Sequence, residues 1–418
     1  MSRSHRCLVV ALSVIAGLSL AACGRGRATA GPLATIPLGA FPLSAPSGIA
    51  LNPVTNRIYV AQGNAHVTVI DGGTNATTRV ATGGMPERLV VNTARNKVYV
   101  IDGPHLEPIR PGQPGTVIQE SRDITVIDGA TNTTSTVHVG SDIRNLVVNT
   151  ATGKAYVTGS GPQLTVIDGS SDATSTVTAG LSYWAPVVNP TTNKVYLNTV
   201  AGVVVVDGAT NATATVHDLG RGALAVDPTA NRLYVVDGGS LRVVDGATNA
   251  TIGRVDVGDG DFGGIAVNAR AHKVYILRPN YPNPGSVIVV DGKTFAATTV
   301  PVGRSPGVLS VDETANALYV LDLDSDDVVQ IDGATNAARA TGVPRLLPLL
   351  AVNQTTGRVY VGAGGPKAGP VSGATPTNVP PPPYVLYVFH FKAGVPSVPI
   401  DTCQPSPRPG ASVARGNC

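Results

Sequence analysis

Leu89-Val90-Val91-Asn92-Thr93-Ala94-Arg95-Asn96-Lys97-Val98-Tyr99-Val100 holds the pattern on which this chain is built. Two apolar, β-branched runs flank a short polar stretch, as two strands joined by a tight turn would. The pattern returns along the sequence. Tyr59, Tyr99, Tyr156, Tyr196, Tyr234, Tyr275, Tyr319 and Tyr360 stand at the same place in successive copies, mostly about 40 residues apart. Each is preceded by a turn residue: Asn52, Asn92, Asn149, Asn189, Asp227, Asn268, Asp312 or Asn353. In seven copies the next apolar run ends in Asp-Gly, at Asp71, Asp128, Asp168, Asp207, Asp245, Asp291 and Asp332. A Thr/Val stretch such as Thr298-Thr299-Val300-Pro301-Val302-Gly303 closes the copy.

Each copy therefore reads as four strands, a to d. Strand a is almost wholly apolar and is expected to be buried on both faces beside a crowded axis. Strand b carries the Tyr, strand c is a second β-branched run, and the Thr-rich strand d suits an outer edge. Asn and Asp of the turns are expected to bond nearby backbone, with Gly taking positive φ. The composition agrees: 48 Gly and 33 Pro in 418 residues, with only 14% charged, favour many short strands over helices. The expected fold is all-β, a propeller of about eight four-stranded blades over 34–400, with seven as the alternative. Closure needs an outer strand for the last blade. Ala34-Thr35-Ile36-Pro37-Leu38-Gly39 matches segment 298–303 and is favoured, with Ser397-Val398-Pro399-Ile400 competing for the same place.

On these motifs the chain resembles the YVTN-type (YncE-like) β-propeller repeat, nearly spelled out in Ala155-Tyr156-Val157-Thr158-Gly159. The resemblance implies the fold and an envelope or surface setting. It implies little about activity, because the matching residues pack and turn.

Residues 1–22 read as an export signal. Arg3, His5 and Arg6 precede an apolar run over 7–20 that is too short to span a bilayer. Leu20-Ala21-Ala22-Cys23-Gly24 resembles the lipobox of bacterial lipoproteins, which implies acylation of Cys23, cleavage before it, and a lipid anchor. Residues 23–33 would then tether the propeller to a membrane, the outer one in a diderm host. Cys403 and Cys418, in the Pro/Ser/Gly-rich tail 401–418, are expected to pair outside the core. A metal site is not expected, nor a cofactor.

In such a fold the a–b and c–d turns share one end, and the d–a and b–c loops the other. The second set varies and holds the insertions 103–122, 277–285 and 364–383. Any site is expected on that variable face. Arg88, Arg144, Arg221, Arg304 and Arg345 come from five d–a loops, with Tyr183, Trp184 and Phe262 in the same loop class. A ring of planar cations with aromatic platforms would suit an anionic or carbohydrate-like small molecule, or an acidic envelope protein. Glu87, Asp142, Asp259 and Asp261 lie among them, so solvated loop arginines are the plainer alternative. The net charge of +3 without a polybasic run argues against nucleic acid. Asp322, Asp324, Asp326 and Asp327 resemble the opening of a calcium loop. They lack its Gly at position six and have Gly333 instead of Glu at twelve, so a hairpin is expected. Asn75, Asn211 and Asn249 begin sequons only because the turn recurs. Histidine metal pairs, nucleophile elbows and phosphate loops are missing from the sequence. The expected role is a monomeric binding or scaffold module. The alternative is a lactonase- or lyase-like propeller enzyme working at the channel mouth.

Overall fold

The computed structural model describes residues 31–39, 45–63, 65–103, 105–108, 116–119, 121–182, 184–220, 222–281, 283–364 and 383–391, with backbone alone for 105–108 and 116–119. Cys23, Cys403, Cys418, Tyr183, Arg221 and the 397–400 segment lie outside them. The described residues form eight four-stranded antiparallel sheets plus one two-stranded hairpin. The eight sheets are the blades of a β-propeller, each running a-b-c-d outward from the channel. Blades 1 to 7 occupy 46–81, 86–138, 143–178, 187–216, 224–256, 264–303 and 306–342. Blade 8 takes strands a to c from 346–389 and its outermost strand from Ala34–Gly39. Thr35 pairs with Tyr387 and Ile36 with Leu386, and Ile36 and Leu38 are buried. Pro37, which has no N–H to donate, sits on this edge strand, where an unmade ladder bond costs nothing. The N-terminal segment thus holds the place for which 397–400 competed. The extra hairpin, His105–Pro108 with Thr116–Gln119, is the insertion between strands b and c of blade 2.

The core lies between blades. Tyr59, Ala61 and Val67 of blade 1, for example, pack against Leu89, Val98 and Val100 of blade 2. Strands b and c carry it; all eight ring tyrosines are fully buried. Strand a departs from expectation. Ile49, Ala50 and Leu51 are only half-buried, whereas Ile58, Tyr59 and Val60 on the adjacent strand b are sealed. An eight-bladed ring leaves its axis open, so the inner strands border a channel and their apolar runs are only partly covered.

The turn end is closed by two rings of polar links, each running from one blade to the next. In the first, the buried residue that opens the a–b turn reaches forward. Asn52 Nδ2 donates to Asn96 Oδ1 at 2.9 Å, Asn149 to Asn193 at 2.8 Å, Asn189 to Asn231 at 3.0 Å and Asn268 to Asn316 at 2.9 Å. Asn92 Nδ2 bonds Gly153 O at 2.7 Å, and Asp227 accepts from His272 Nδ1 at 2.8 Å. Asn353 Nδ2 donates to Asn56 Oδ1 at 2.8 Å and joins the last blade to the first; between blades 7 and 8 neither link is present among the described residues. In the second ring a cation opening strand b bonds the next blade's c–d turn. Lys154 Nζ reaches Gly208 O at 2.8 Å and Lys194 reaches Gly246 O at 2.6 Å; Arg57, Arg232, Lys273 and Arg358 do likewise. Lys97 takes the Asp172 carboxylate at 2.8 Å.

The turns also correct one expectation. Positive φ falls on Asn56, Asn96, Asn193, Asn231 and their counterparts, and on Asn75, Asn132, Asn211 and Asn249, not on the Gly of Asp-Gly. That Gly is needed for room. A Cβ at Gly208 would strike Asn193 Oδ1, and one at Gly292 would strike the His272 carbonyl at 2.6 Å.

Candidate functional site

The two ends of the ring are built differently. At the turn end nearly every recurrent polar side chain is spent on the links just described. At the other end the loops differ from blade to blade, and of the sequence-expected site residues the described ones, Arg88, Arg144, Trp184, Phe262, Arg304 and Arg345, are found there.

Arg88 and Arg144 open strand a of blades 2 and 3, and both are exposed. Arg88 Nη1 donates to Asn145 Oδ1 at 3.3 Å, which ties its guanidinium to blade 3. Arg304 and Arg345 lie in the loops entering blades 7 and 8 and are held by neighbours. Acids frame both loops. Buried Asp322 accepts the N–H of Arg304 at 2.9 Å and that of Ser305 at 2.8 Å, and takes the Ser325 hydroxyl at 2.7 Å. Asp326 Oδ1 caps Leu346 N at 2.9 Å, while its carbonyl accepts Val343 N at 2.7 Å. The acids weighed as a calcium loop thus sit on the b–c hairpin of blade 7, where Asp322 pairs with Asp327, and they position the Arg304 and Arg345 loops. Among the described residues no three His, Cys, Asp or Glu side chains gather as metal ligands.

Phe262 is half-buried and packs on the core beside Val257 and Ile276. Trp184, the only tryptophan of the chain, is 42% exposed. The arginines do not form a field of one sign. Arg122 is bonded to Asp142 at 3.0 Å, and Glu87, Asp259 and Asp261 are exposed among the same loops. The His138 and Asp123 side chains, 2.7 Å apart, are both exposed on the outer part of blade 2. A polar cavity of about 560 Å³ opens on blade 5, with Ser240, Arg254, Asp256 and Asp259 in its wall. Arg254 spans it to the Ser240 hydroxyl at 2.8 Å. At the turn end a larger cavity of about 810 Å³ lies among blades 7, 8 and 1, lined by Leu51, Pro53, Ser310, Ala351 and Gln354.

Sequence reading missed the polar residues that fix these loops. In blade 4 the regular part of strand a shrinks to Val187–Asn189, against Pro46–Asn52 in blade 1. The chain entering it is still held, because Ser182 bridges to Thr199 and its hydroxyl lies 2.9 Å from Trp184 O and 3.1 Å from Asn198 O. Asn198 Nδ2 in turn bonds Gly220 O at 3.0 Å and Gly222 O at 2.7 Å. The available signal was positional. Two residues beyond the repeat tyrosine, the other blades have Ala61, Ile101, Thr158, Val236, Leu277, Leu321 and Gly362 where this one has Asn198.

No family model matches the chain, and no curated protein matches it. Among solved structures it is similar to the crystal structure of BamB from Moraxella catarrhalis, with a TM-score of 0.56 and 13% identity, covering 85% of this chain and 99% of that one. At that identity the likeness is one of fold.

Proposed function

We propose that the chain is an exported, lipid-anchored binding or scaffold module of the cell envelope, kin to the YVTN-type propellers, which takes its ligand or partner on the variable face. The observation that carries this reading is the division of labour between the two ends. The turn end uses its Asn, Lys and Arg to hold blade to blade, as in the Asn353 to Asn56 closure. The variable end exposes Arg88, Arg144 and Trp184, which no repeat contact requires. Loops carried on a rigid scaffold are where recognition residues collect, and exposed aromatic surface there marks an interaction site. Arg221, Arg304, Arg345, Tyr183 and Phe262 belong to the same loop set and are proposed as the outer contacts. The enzyme alternative needs carboxylates or histidines free to act at one point. Instead, Asp322 and Asp326 cap backbone, and Asp142 holds Arg122. Recognition of a partner without catalysis is the better fit.

The test compares recovery of partners from envelope extract by three forms of the full chain. Arg88→Ala with Arg144→Ala should lose them. Lys293→Ala with Arg270→Ala, exposed residues of the turn end, should recover them as wild type does. The reverse pattern would overturn the reading.

A further inference from the structure

We infer that blade 4 carries a preorganised protein-docking surface, with Trp184 as its anchor and Ser182 and Asn198 as the positioning residues that hold it. This rests on the variable face being the binding face.

Three independent features meet at this point of the ring. First, strand a is cut short, so residues 184–186 stand outside the ladder, yet the buried Ser182 hydroxyl lies within hydrogen-bond reach of both Trp184 O and Asn198 O on strand b. Second, Asn198 is a primary amide, 2% exposed, at a place where four other blades have Ile101, Val236, Leu277 or Leu321 and the rest Ala61, Thr158 or Gly362. Burying an amide there is unfavourable unless it is bonded. Both its hydrogens go to carbonyls of the next loop, Gly220 O and Gly222 O. One residue therefore fixes the loops on both sides of blade 4, by its carbonyl and by its side chain. Third, the surface above it is apolar and open: Trp184 is 42% exposed, and Val200 on the adjoining b–c turn is 51% exposed.

The composition of the face identifies the partner class. Met85 and Tyr281, also strongly exposed, are on variable-face loops too. Lys97, Lys154, Lys194, Lys273 and Lys293, which are all the described lysines, sit at the turn end. Exposed Trp, Met, Tyr and Arg side chains together are the composition enriched at protein–protein contacts, and Trp is among the commonest hot spots. Arg88 and Arg144, on the two preceding blades, offer planar donors for carboxylates. Glu87 and Asp142 on the same arc deny a broad positive field, so a polyanion is a poor fit. The occupant is a protein segment with one apolar anchor for Trp184 and Val200 and a flanking Asp or Glu.

A phage-displayed library of random dodecapeptides, panned on the full chain, supplies the probe. Enriched peptides should share an apolar residue beside a carboxylate and should change the emission of the single tryptophan. Trp184→Ala should weaken them about 30-fold, the loss typical of a hot spot. Ser182→Ala and Asn198→Leu should each weaken them several-fold with the fold retained; Asn198→Leu should also lower the Tm by a few degrees, because it leaves the carbonyls of Gly220 and Gly222 without their donor. Ser182→Ala should also speed the anisotropy decay of Trp184, and Asn198→Leu should speed amide exchange around Gly222. A library that enriches nothing, or peptides indifferent to Trp184→Ala, would overturn the docking surface while leaving the variable face open to other ligands. Peptides lost instead on Lys293→Ala with Arg270→Ala would overturn the underlying reading. Unchanged anisotropy and exchange in the two variants would remove Ser182 and Asn198 from the positioning role.

Discussion

The Asp-Gly turn shows how much one residue pair does. In each of the seven, the Asp carboxyl is held below the usual carboxylate range, first by the backbone N–H three residues on, as from Thr74 to Asp71 or Thr210 to Asp207. Asp227 is lowered too: burial opposes its charge, but the Thr229 hydroxyl, Ala230 N–H and His272 outweigh it. A carboxyl lowered on folding contributes stability that is complete above its unfolded pKa, about 3.9, and is lost as pH falls through the folded value. The Tm should therefore hold from neutrality down to about pH 4.5 and fall steeply below it. Asp207→Asn should flatten that fall, and a flat wild-type profile to pH 3 would contradict the account. The phenols act at the other extreme. Burial pushes Tyr275 up to about 12, so its contribution persists below the unfolded phenol value and fades as pH rises through about 12. Asp-Gly was legible as turn chemistry. The role of its Gly was not, because the atoms it must clear, Asn193 Oδ1 and Tyr156 Oη for Gly208, come from other turns and blades. Gly208→Ala should cost about 1–3 kcal/mol by overpacking, read as a lower Tm with the fold retained.

At the scale of elements, strands b, c and d came straight from periodicity, since alternation and Tyr placement are local. Strand a misled because an apolar run looks the same whether it is sealed between sheets or borders a channel. The links between blades were legible only as repetition. Their absence at one junction has a physical cause. In blade 8 Phe389-His390 replaces the Asp-Gly whose glycine carbonyl takes the cation in other blades, and Ala317 stands where the cation opens strand b of blade 7. Rings fill the gap: Tyr319 lies 5.2 Å from Phe391, which stacks on Phe389 at 5.4 Å. Among the described residues Asp312 bonds only within its own turn, to Thr314 N at 3.0 Å and Ala315 N at 2.9 Å. Its counterpart Asn92 donates across the junction to the carbonyl of Gly153, and blade 8 presents Gly357 in that role. Asp312→Asn keeps the acceptor oxygen and supplies the missing donor. It should raise stability by about 1 kcal/mol, seen in denaturant unfolding as a higher midpoint at unchanged slope. A lower midpoint would mean that the carboxylate has a partner of its own.

Over the whole molecule, closure and anchoring converge on the first part of the chain. Repetition made the propeller legible, and matching 34–39 to 298–303 made its closing strand legible too. The site was less so, because an arginine in a loop has no period: the acids Glu87, Asp142, Asp259 and Asp261 are legible among the arginines, but pairings such as Arg122 with Asp142 are visible only in three dimensions. Ala34–Gly39 is the outer strand of blade 8, and the proposed lipid anchor at Cys23 lies a short tether before it. The two roles separate by mutation. Cys23→Ser removes the proposed acylation site, so the protein should leave the membrane fraction with its Tm unchanged, since the first blade strand starts only at Ala34. Removing residues through Gly39 does something else. It takes away Ile36 and Leu38, both sealed in the core, at roughly 1.5–3 kcal/mol each. It also bares the edge of Tyr384–Phe389, whose unpaired backbone invites association. That truncation should unfold at far lower temperature or aggregate. A Cys23→Ser protein still tightly membrane-bound would disprove the anchor. A truncated protein as stable as wild type would mean that the ring holds without its N-terminal strand, and that blade 8 closes by other means.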